Sequence, residues 1–218
     1  MMDDATKIST SHTVPVPPTG SPDAHSMTVL QVGRLITGDQ QSLCKIRTIS
    51  AAGIMAHATV PLSVGQKVVV GFRTSHLIAG RVTWTRDELV GIEFFEPADI
   101  DALFAAQRRA VSGRFLPESV RLDVHGACTI EIDNETVIAE LFDISLSGAK
   151  VTDMAAFMIG ARIILSVEGL PARSGYIRWR RDGRAGIAFN LSMPFEVLAN
   201  WAIEQRPRVT FETLRQAG

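Results

Sequence analysis

The chain has 218 residues, 46% of them hydrophobic and 21% charged, and a formal net charge of −1. That balance fits one or two globular domains and supplies no global field to draw in nucleic acid or an anionic membrane, so any basic site must be a local patch. The longest apolar runs, "KVVVGF" at 67–72 and "RIIL" at 162–165, are far too short to span a bilayer, so no membrane insertion is expected.

Residues 1–26 begin "MMDD", which is acidic and lacks the apolar stretch of a secretory signal. They continue through "TVPVPPTGSPD", where Pro, Gly, Ser and Thr mix and the apolar residues have no period. Such a segment buries too little surface to offset its ordering entropy and is expected to be a disordered tail. Cys44 and Cys128 are the only cysteines and belong to no metal-ligand or CxxC pattern. Two lone thiols suit a reducing cytoplasm, as small core residues.

From residue 27 the pattern turns to strands. "KVVVGF" is a short apolar run bounded by turn residues, and "GRVTWTRDELVGIEF" (80–94) reads as two strands joined by an acidic turn. "PADIDALFAAQRRA" then begins at Pro97 and places Ile100, Leu103 and Phe104 on one helical face. "RRAVSGR" carries Arg108, Arg109 and Arg114. "CTIEIDNETVIAEL" is two β-type runs about a tight turn at Asp133-Asn134, and "LFDISLSGAKV" (141–151) packs Asp143, Ser145 and Gly148 into six residues. "RIILSV" reads as a core strand. In "SGYIRWRR", Tyr176, Arg178 and Arg180 alternate with Ile177, Trp179 and Arg181, a period of two. "PFEVLANWAIEQR" starts a second helix at Pro194, with Val197, Leu198, Trp201 and Ile203 apolar.

Most of these elements occur twice. Gly80, Trp84, Arg86, Asp87, Gly91, Ile92 and Phe94 recur 95 residues on as Gly175, Trp179, Arg181, Asp182, Gly186, Ile187 and Phe189. Without a gap, Ser50, Gly53 and Gly65 meet Ser145, Gly148 and Gly160. The 11 identities over the 47 positions from Thr48 to Phe94 exceed the roughly three that average composition predicts. A period this long is a small domain, so the chain reads as a tandem duplication. The expected architecture is all-β, two small antiparallel barrels each followed by a helix. The expected segments are the tail at 1–26, one domain at 27–107 and another at 108–218.

Duplicates share scaffold and differ in function. Trp84 and Trp179, one in each copy, are therefore expected in the core, and the paired glycines at turns or bulges. Thr48 stands where copy two has Asp143, and the positions 95 residues before Arg108, Arg109 and Arg114 are Thr13, Val14 and Thr19. Copy one thus lacks both the arginines and the acid.

Arginines about thirty residues before Asp-x-Ser-x-x-Gly, then a Gly-x-hydrophobic-x-Trp strand and a Gly-Ile-x-Phe strand, resemble the PilZ domain. The resemblance is strong over about 108–205 and holds through the repeat, as a degenerate copy, over 30–107. It implies a six-stranded β-barrel with a C-terminal helix that binds cyclic di-GMP through Arg-x-x-x-Arg and Asp/Asn-x-Ser-x-x-Gly. Asp143, Ser145 and Gly148 meet the second half of that motif. In the first half, Arg109 and Arg114 have four residues between them instead of three, and Arg108 and Arg114 have five.

The residue types suit the ligand. Arg pairs with phosphate or with guanine O6 and N7 and stacks on bases. A carboxylate such as Asp143 accepts from guanine N–H groups, Ser145 can donate to a phosphate or base acceptor, and Gly148 permits close backbone approach and positive φ. Three or four charge-assisted bonds of roughly 1.5–3 kcal/mol each support a micromolar complex, about −8 kcal/mol. Arg173, Arg178, Arg180, Arg181 and Arg184 cluster opposite only Asp182, with Arg178 and Arg180 expected on one strand face.

Enzymatic readings find little support: Ser145 has no recognisable His partner, the five histidines show no metal spacing, and no phosphate-binding Gly loop occurs. The expectation is a cytoplasmic bacterial signalling protein that needs no cofactor or metal. Its second domain would bind cyclic di-GMP, and its first would act as a docking or regulatory module toward a protein effector. Ligand would order the arginine arm between the domains and reorient the first. The rival is an interaction adaptor that binds no nucleotide. A nucleic-acid-binding barrel is disfavoured by the neutral charge and few exposed aromatics.

Overall fold

Period-two alternation becomes twelve antiparallel strands in a computed structural model that describes residues 27–72, 76–103 and 120–205. The first six are β1 (Met27–Thr37), β2 (Gln40–Ser50), β3 (Gly53–Ala58), β4 (Lys67–Gly71), β5 (Leu77–Arg86) and β6 (Leu89–Phe94). They close into a barrel in the order β1-β2-β3-β6-β5-β4. The next six are β7 (Arg121–Ile132), β8 (Glu135–Ser145), β9 (Gly148–Thr152), β10 (Arg162–Val167), β11 (Arg173–Arg181) and β12 (Arg184–Phe189). They close in the same order, β7-β8-β9-β12-β11-β10. Closure leaves neither sheet an open edge. The chain turns helical again at 100–103, where Asp99 caps the Ala102 N–H at 2.8 Å, and at α1 (Phe195–Gln205). The expected tail at 1–26 lies outside the described residues.

The copies agree down to their irregularities. Each barrel has bulges at three matching places: Thr28/Gln31 with Asp123/Gly126, Ile46/Thr48 with Leu141/Asp143, and Val82/Trp84 with Ile177/Trp179. A bulge adds one residue to one strand and so resets which side chains face out. The β7–β8 hairpin turns on Asp133 and Asn134, at φ 48° and 66°, the left-handed pair that a two-residue hairpin favours.

Inward residues form one core per barrel. Leu35, Ile46, Ile54, Val70, Val82 and Ile92 fill the first, and Leu122, Ile130, Leu141, Ile144, Leu165 and Ile187 the second, which α1 caps with Leu198 and Trp201. Trp201 Nε1 donates to the Glu168 carbonyl at 2.8 Å. Cys44 and Cys128 are buried and free.

Trp84 and Trp179 depart from the expected core placement. Each is half-buried and follows a bulge, so it faces outward and lies flat on a neighbouring glycine. A Cβ added at Gly91 or Gly186 would sit 2.1 Å from the indole nitrogen. Both copies keep the tryptophan and its glycine because the pair is one packing unit on the barrel's outside.

The barrels meet through the β1–β2 hairpin of the first. Leu43 pairs with Arg34 and points out of barrel one, and its side chain is fully buried in the core cluster of barrel two. Around it, Lys45 Nζ donates to Glu196 Oε1 at 2.7 Å and lies 4.5 Å from the Phe195 ring centre. That bond draws the Glu196 carboxyl below its usual pKa.

Candidate ligand site

Asp143 follows the β8 bulge, and its neighbours Ile144 and Leu141 point inward, so its carboxylate faces out. It is nonetheless covered. Arg121 of β7 bonds Oδ1 and Lys150 of β9, directly opposite in the ladder, bonds Oδ2. The Asp143 side chain is 3% exposed against 28% for Arg121 and 30% for Lys150. An approaching molecule therefore meets two cations held on one sealed carboxylate.

Ser145 and Gly148 sit differently. Ser145 pairs with Gly148, is fully buried, donates through Oγ to the Gly148 carbonyl at 3.1 Å and accepts from Ser147 N–H at 3.3 Å. Gly148 has no positive φ. What it needs is closeness: a Cβ there would lie 2.2 Å from the Ile187 carbonyl oxygen. Ser50 and Gly53 repeat the arrangement, with Oγ 3.4 Å from the Gly53 carbonyl and a Cβ 2.2 Å from Ile92 O. The Asp-x-Ser-x-x-Gly turn thus divides into an outward acid and an inward scaffold.

One cross-strand row carries the polar chemistry. It runs Asp123, Asp143, Lys150, Gly186, Trp179 over β7, β8, β9, β12 and β11. The same row in barrel one runs Thr28, Thr48, Met55, Gly91, Trp84. The glycine and tryptophan are common and the charges are not. Arg184 and Arg181 border this face in barrel two, with guanidinium carbons 4.5 Å from the Phe142 ring centre and 5.0 Å from that of Trp179. A basic surface with an aromatic platform suits a phosphate-bearing base.

The bulge also separates the arginines of β11. Arg178 falls in the bulge, while Arg180 pairs with inward-facing Ala185, so the two do not share a simple alternating face. Arg180 binds Asp153 through Nε at 2.6 Å and Nη2 at 3.0 Å, and donates to the carbonyls of Met154, at 3.2 Å, and Phe157. Its work is to clamp the β9–β10 loop. Arg121 and Lys150 escaped the sequence reading, although the 95-residue offset could have found them: copy one has Ser26 and Met55 there. Arg108, Arg109 and Arg114 lie outside the described residues, which resume at Val120, next to Arg121.

A second polar contact adjoins the triad. Arg34 Nη1 of barrel one donates to Asp123 Oδ2 at 2.7 Å, to the Arg121 carbonyl at 3.1 Å and to Gln41 Oε1 at 3.0 Å. Gln41 exchanges bonds with the Asp123 backbone, at 3.1 and 3.2 Å. The residue that covers Asp143 is thereby also one that barrel one holds. Among the described residues no group of His, Cys, Asp and Glu could hold a metal ion, and no helix is long and apolar enough to cross a membrane.

The PilZ domain family model matches residues 27–110 and 116–201. Solved structures with similarity include PlzA of Borreliella burgdorferi in complex with c-di-GMP (12% identity, 81% of this chain and 92% of that chain, TM-score 0.36). They also include the Bacillus subtilis inhibitor of motility, MotI/DgrA (16%, 82% and 97%, 0.33), and YcgR of Escherichia coli in complex with c-di-GMP (14%, 80% and 82%, 0.30). No curated protein matches the chain in sequence.

Proposed function

Because the chain belongs to the PilZ domain family through both of its barrels, we propose that it is a cyclic di-GMP receptor whose ligand is held by the second barrel. The observation that carries this reading is the outer row: barrel two has Asp143 and Lys150 where barrel one, on the same scaffold, has Thr48 and Met55. Arg108, Arg109 and Arg114, in the stretch of sequence before Arg121, supply phosphate and guanine contacts to a ligand whose site is marked by Asp143, Ser145 and Gly148. Asp143 sets the charge of the surface, and Ser145 and Gly148 hold the turn that presents it. The first barrel is the docking or regulatory module, and the protein acts by binding and not by catalysis.

Signal leaves the site through the barrel contact. Arg34 is bonded to the Arg121 carbonyl and to Asp123, so a ligand that repositions Arg121 strains that contact. A ligand with higher affinity for one barrel arrangement shifts the population toward it. Isothermal titration with cyclic di-GMP at tens of micromolar tests the receptor reading. Heat should appear for the wild type and fall sharply in Arg114→Ala and Asp143→Ala; a silent wild type, or variants that bind unchanged, ends it.

An adaptor that captures a protein without nucleotide is the second reading. It is favoured by Met158 and Ile159, 71% and 69% exposed on the loop that Arg180 clamps. In that case partner capture would be indifferent to nucleotide and lost in a Met158→Asp, Ile159→Asp double variant.

A further inference from the structure

We infer that the outer face of the β7–β8 hairpin is a docking surface for a second protein, one that presents an apolar groove rimmed by Lys and Arg. The chain already holds one seated copy of the same device. On barrel one, Leu43 turns out of its own barrel and is buried in the core cluster of barrel two. Arg34 and Lys45 beside it meet Asp123 and Glu196. An apolar knob flanked by cations thus fills a place flanked by acids.

Ninety-five residues on, the same ladder position holds Ile138, which pairs with Thr129 as Leu43 pairs with Arg34. Its side chain is 70% exposed. The neighbouring pair changes in the same direction. Ile36 and Gln41, both buried on barrel one, correspond to exposed Glu131 and Thr136 on barrel two. A single exposed apolar residue would mean nothing, but this one continues onto adjacent strands. Ile164 of β10, 41% exposed, pairs with Glu131. Tyr176 of β11, 40% exposed, pairs with Arg162, two residues from Ile164. Residues paired across a ladder share one side of the sheet, so these groups lie on one surface.

Charge names the partner. Where barrel one has Lys45, barrel two has Glu140, and Glu131 and Glu135 stand on the same hairpin. Glu140 has His125 Nδ1 at 3.6 Å, while Glu131 and Glu135 form no ion pair among the described residues. Arg162 offsets part of this charge. An acidic rim about an apolar centre favours a cationic surface and repels an acidic one. The same rim argues against a second copy of this chain. The counterparts in barrel one of Asp123 and Glu196, the acids that receive the first hairpin, are Thr28 and Asp101. Repeating the contact between chains would set Glu140 against Asp101, like charge on like. No nucleotide contact is invoked, so the inference stands apart from the receptor reading.

An array of capped hexapeptides tests the surface. Each peptide carries two central Leu or Phe residues flanked by Lys and Arg, by Asp and Glu, or by Ser, and the array is probed with the full chain at low and high salt. The Lys/Arg-flanked set should bind about tenfold or more above the other two, and less well at high salt. Ile138→Asp should abolish that binding; if it fails to melt cooperatively, Ile138→Ser takes its place with the same loss expected. Glu131→Lys with Glu140→Lys should move the preference to the Asp/Glu-flanked set. Met158→Asp with Ile159→Asp should bind as wild type does. Equal binding to the three sets, no binding to any, or wild-type binding by the Ile138 variants overturns the inference. Sedimentation of the full chain at rising concentration should show a monomer. Self-association that Ile138→Asp abolishes would make a second copy the occupant and overturn the inference as well. Cyclic di-GMP titration is read separately, so failure here leaves the receptor reading standing.

Discussion

Asp123 and Asp143 stand opposite each other on the β7–β8 ladder, yet each is neutralised from a different side. Asp123 is tied to barrel one by Arg34, and Asp143 to its own barrel by Arg121 and Lys150. Two carboxylates placed directly across a ladder repel unless each is paired. The site and the barrel contact are therefore electrostatic neighbours.

Arg34→Ala should loosen the barrels. It removes a guanidinium group with an 11% exposed side chain and three acceptors, one of them the Asp123 carboxylate opposite Asp143. A double-mutant cycle with Asp123→Ala should show coupling of about 1–3 kcal/mol in urea unfolding. Additive effects would show that the contact contributes nothing to stability.

Leu43 and Ile138 occupy matching positions of the two barrels, one fully buried between them and the other 70% exposed. Leu43→Ala should destabilise the protein by about 2–4 kcal/mol through a cavity at the junction. Ile138→Ala should stay within about 0.5 kcal/mol of wild type. Chemical denaturation of the pair reads both.

Gly148→Ala and Gly53→Ala should cost similar stability, about 1–3 kcal/mol each, because the new Cβ meets a backbone carbonyl that cannot swing aside. Gly186→Ala is different in kind. It collides with a side chain, so it should lift Trp179 from the barrel and change the indole fluorescence while the fold persists.

The two thiols should be inert in the folded protein. Burial pushes Cys44 up to about 12 and Cys128 to about 11, so neither is a thiolate at pH 8. A disulfide reagent should label both only after denaturation. From about pH 9 upward the unfolded chain releases these protons while the folded chain retains them, so stability should fall with rising pH toward 11–12. Fast labelling of the native protein at pH 8 would contradict the burial.

Much of this was legible from one chain because the chain is written twice. Shared residues such as Ser50 and Ser145, or Gly53 and Gly148, identified the turn that both barrels need. The Asp133-Asn134 hairpin and the helix after Pro194 followed from local chemistry. The placement of Trp84 and Trp179 did not follow, since alternation says which residues share a face only until a bulge intervenes. The bulge between Ile177 and Trp179 is silent in composition and moves every later side chain, Arg180 among them.

The sequence by itself determined the duplication, the period-two strands and the copy that carries the acid, because these are properties of residue type and spacing along one dimension. Only the tertiary structure decided which groups meet Asp143. Arg121 and Lys150 lie 22 residues before it and 7 after it. They converge because antiparallel pairing sets β7 and β9 on either side of β8. Closure likewise turned Leu43 away from its own barrel and into its neighbour's core, and so joined the charged row to the contact between the barrels.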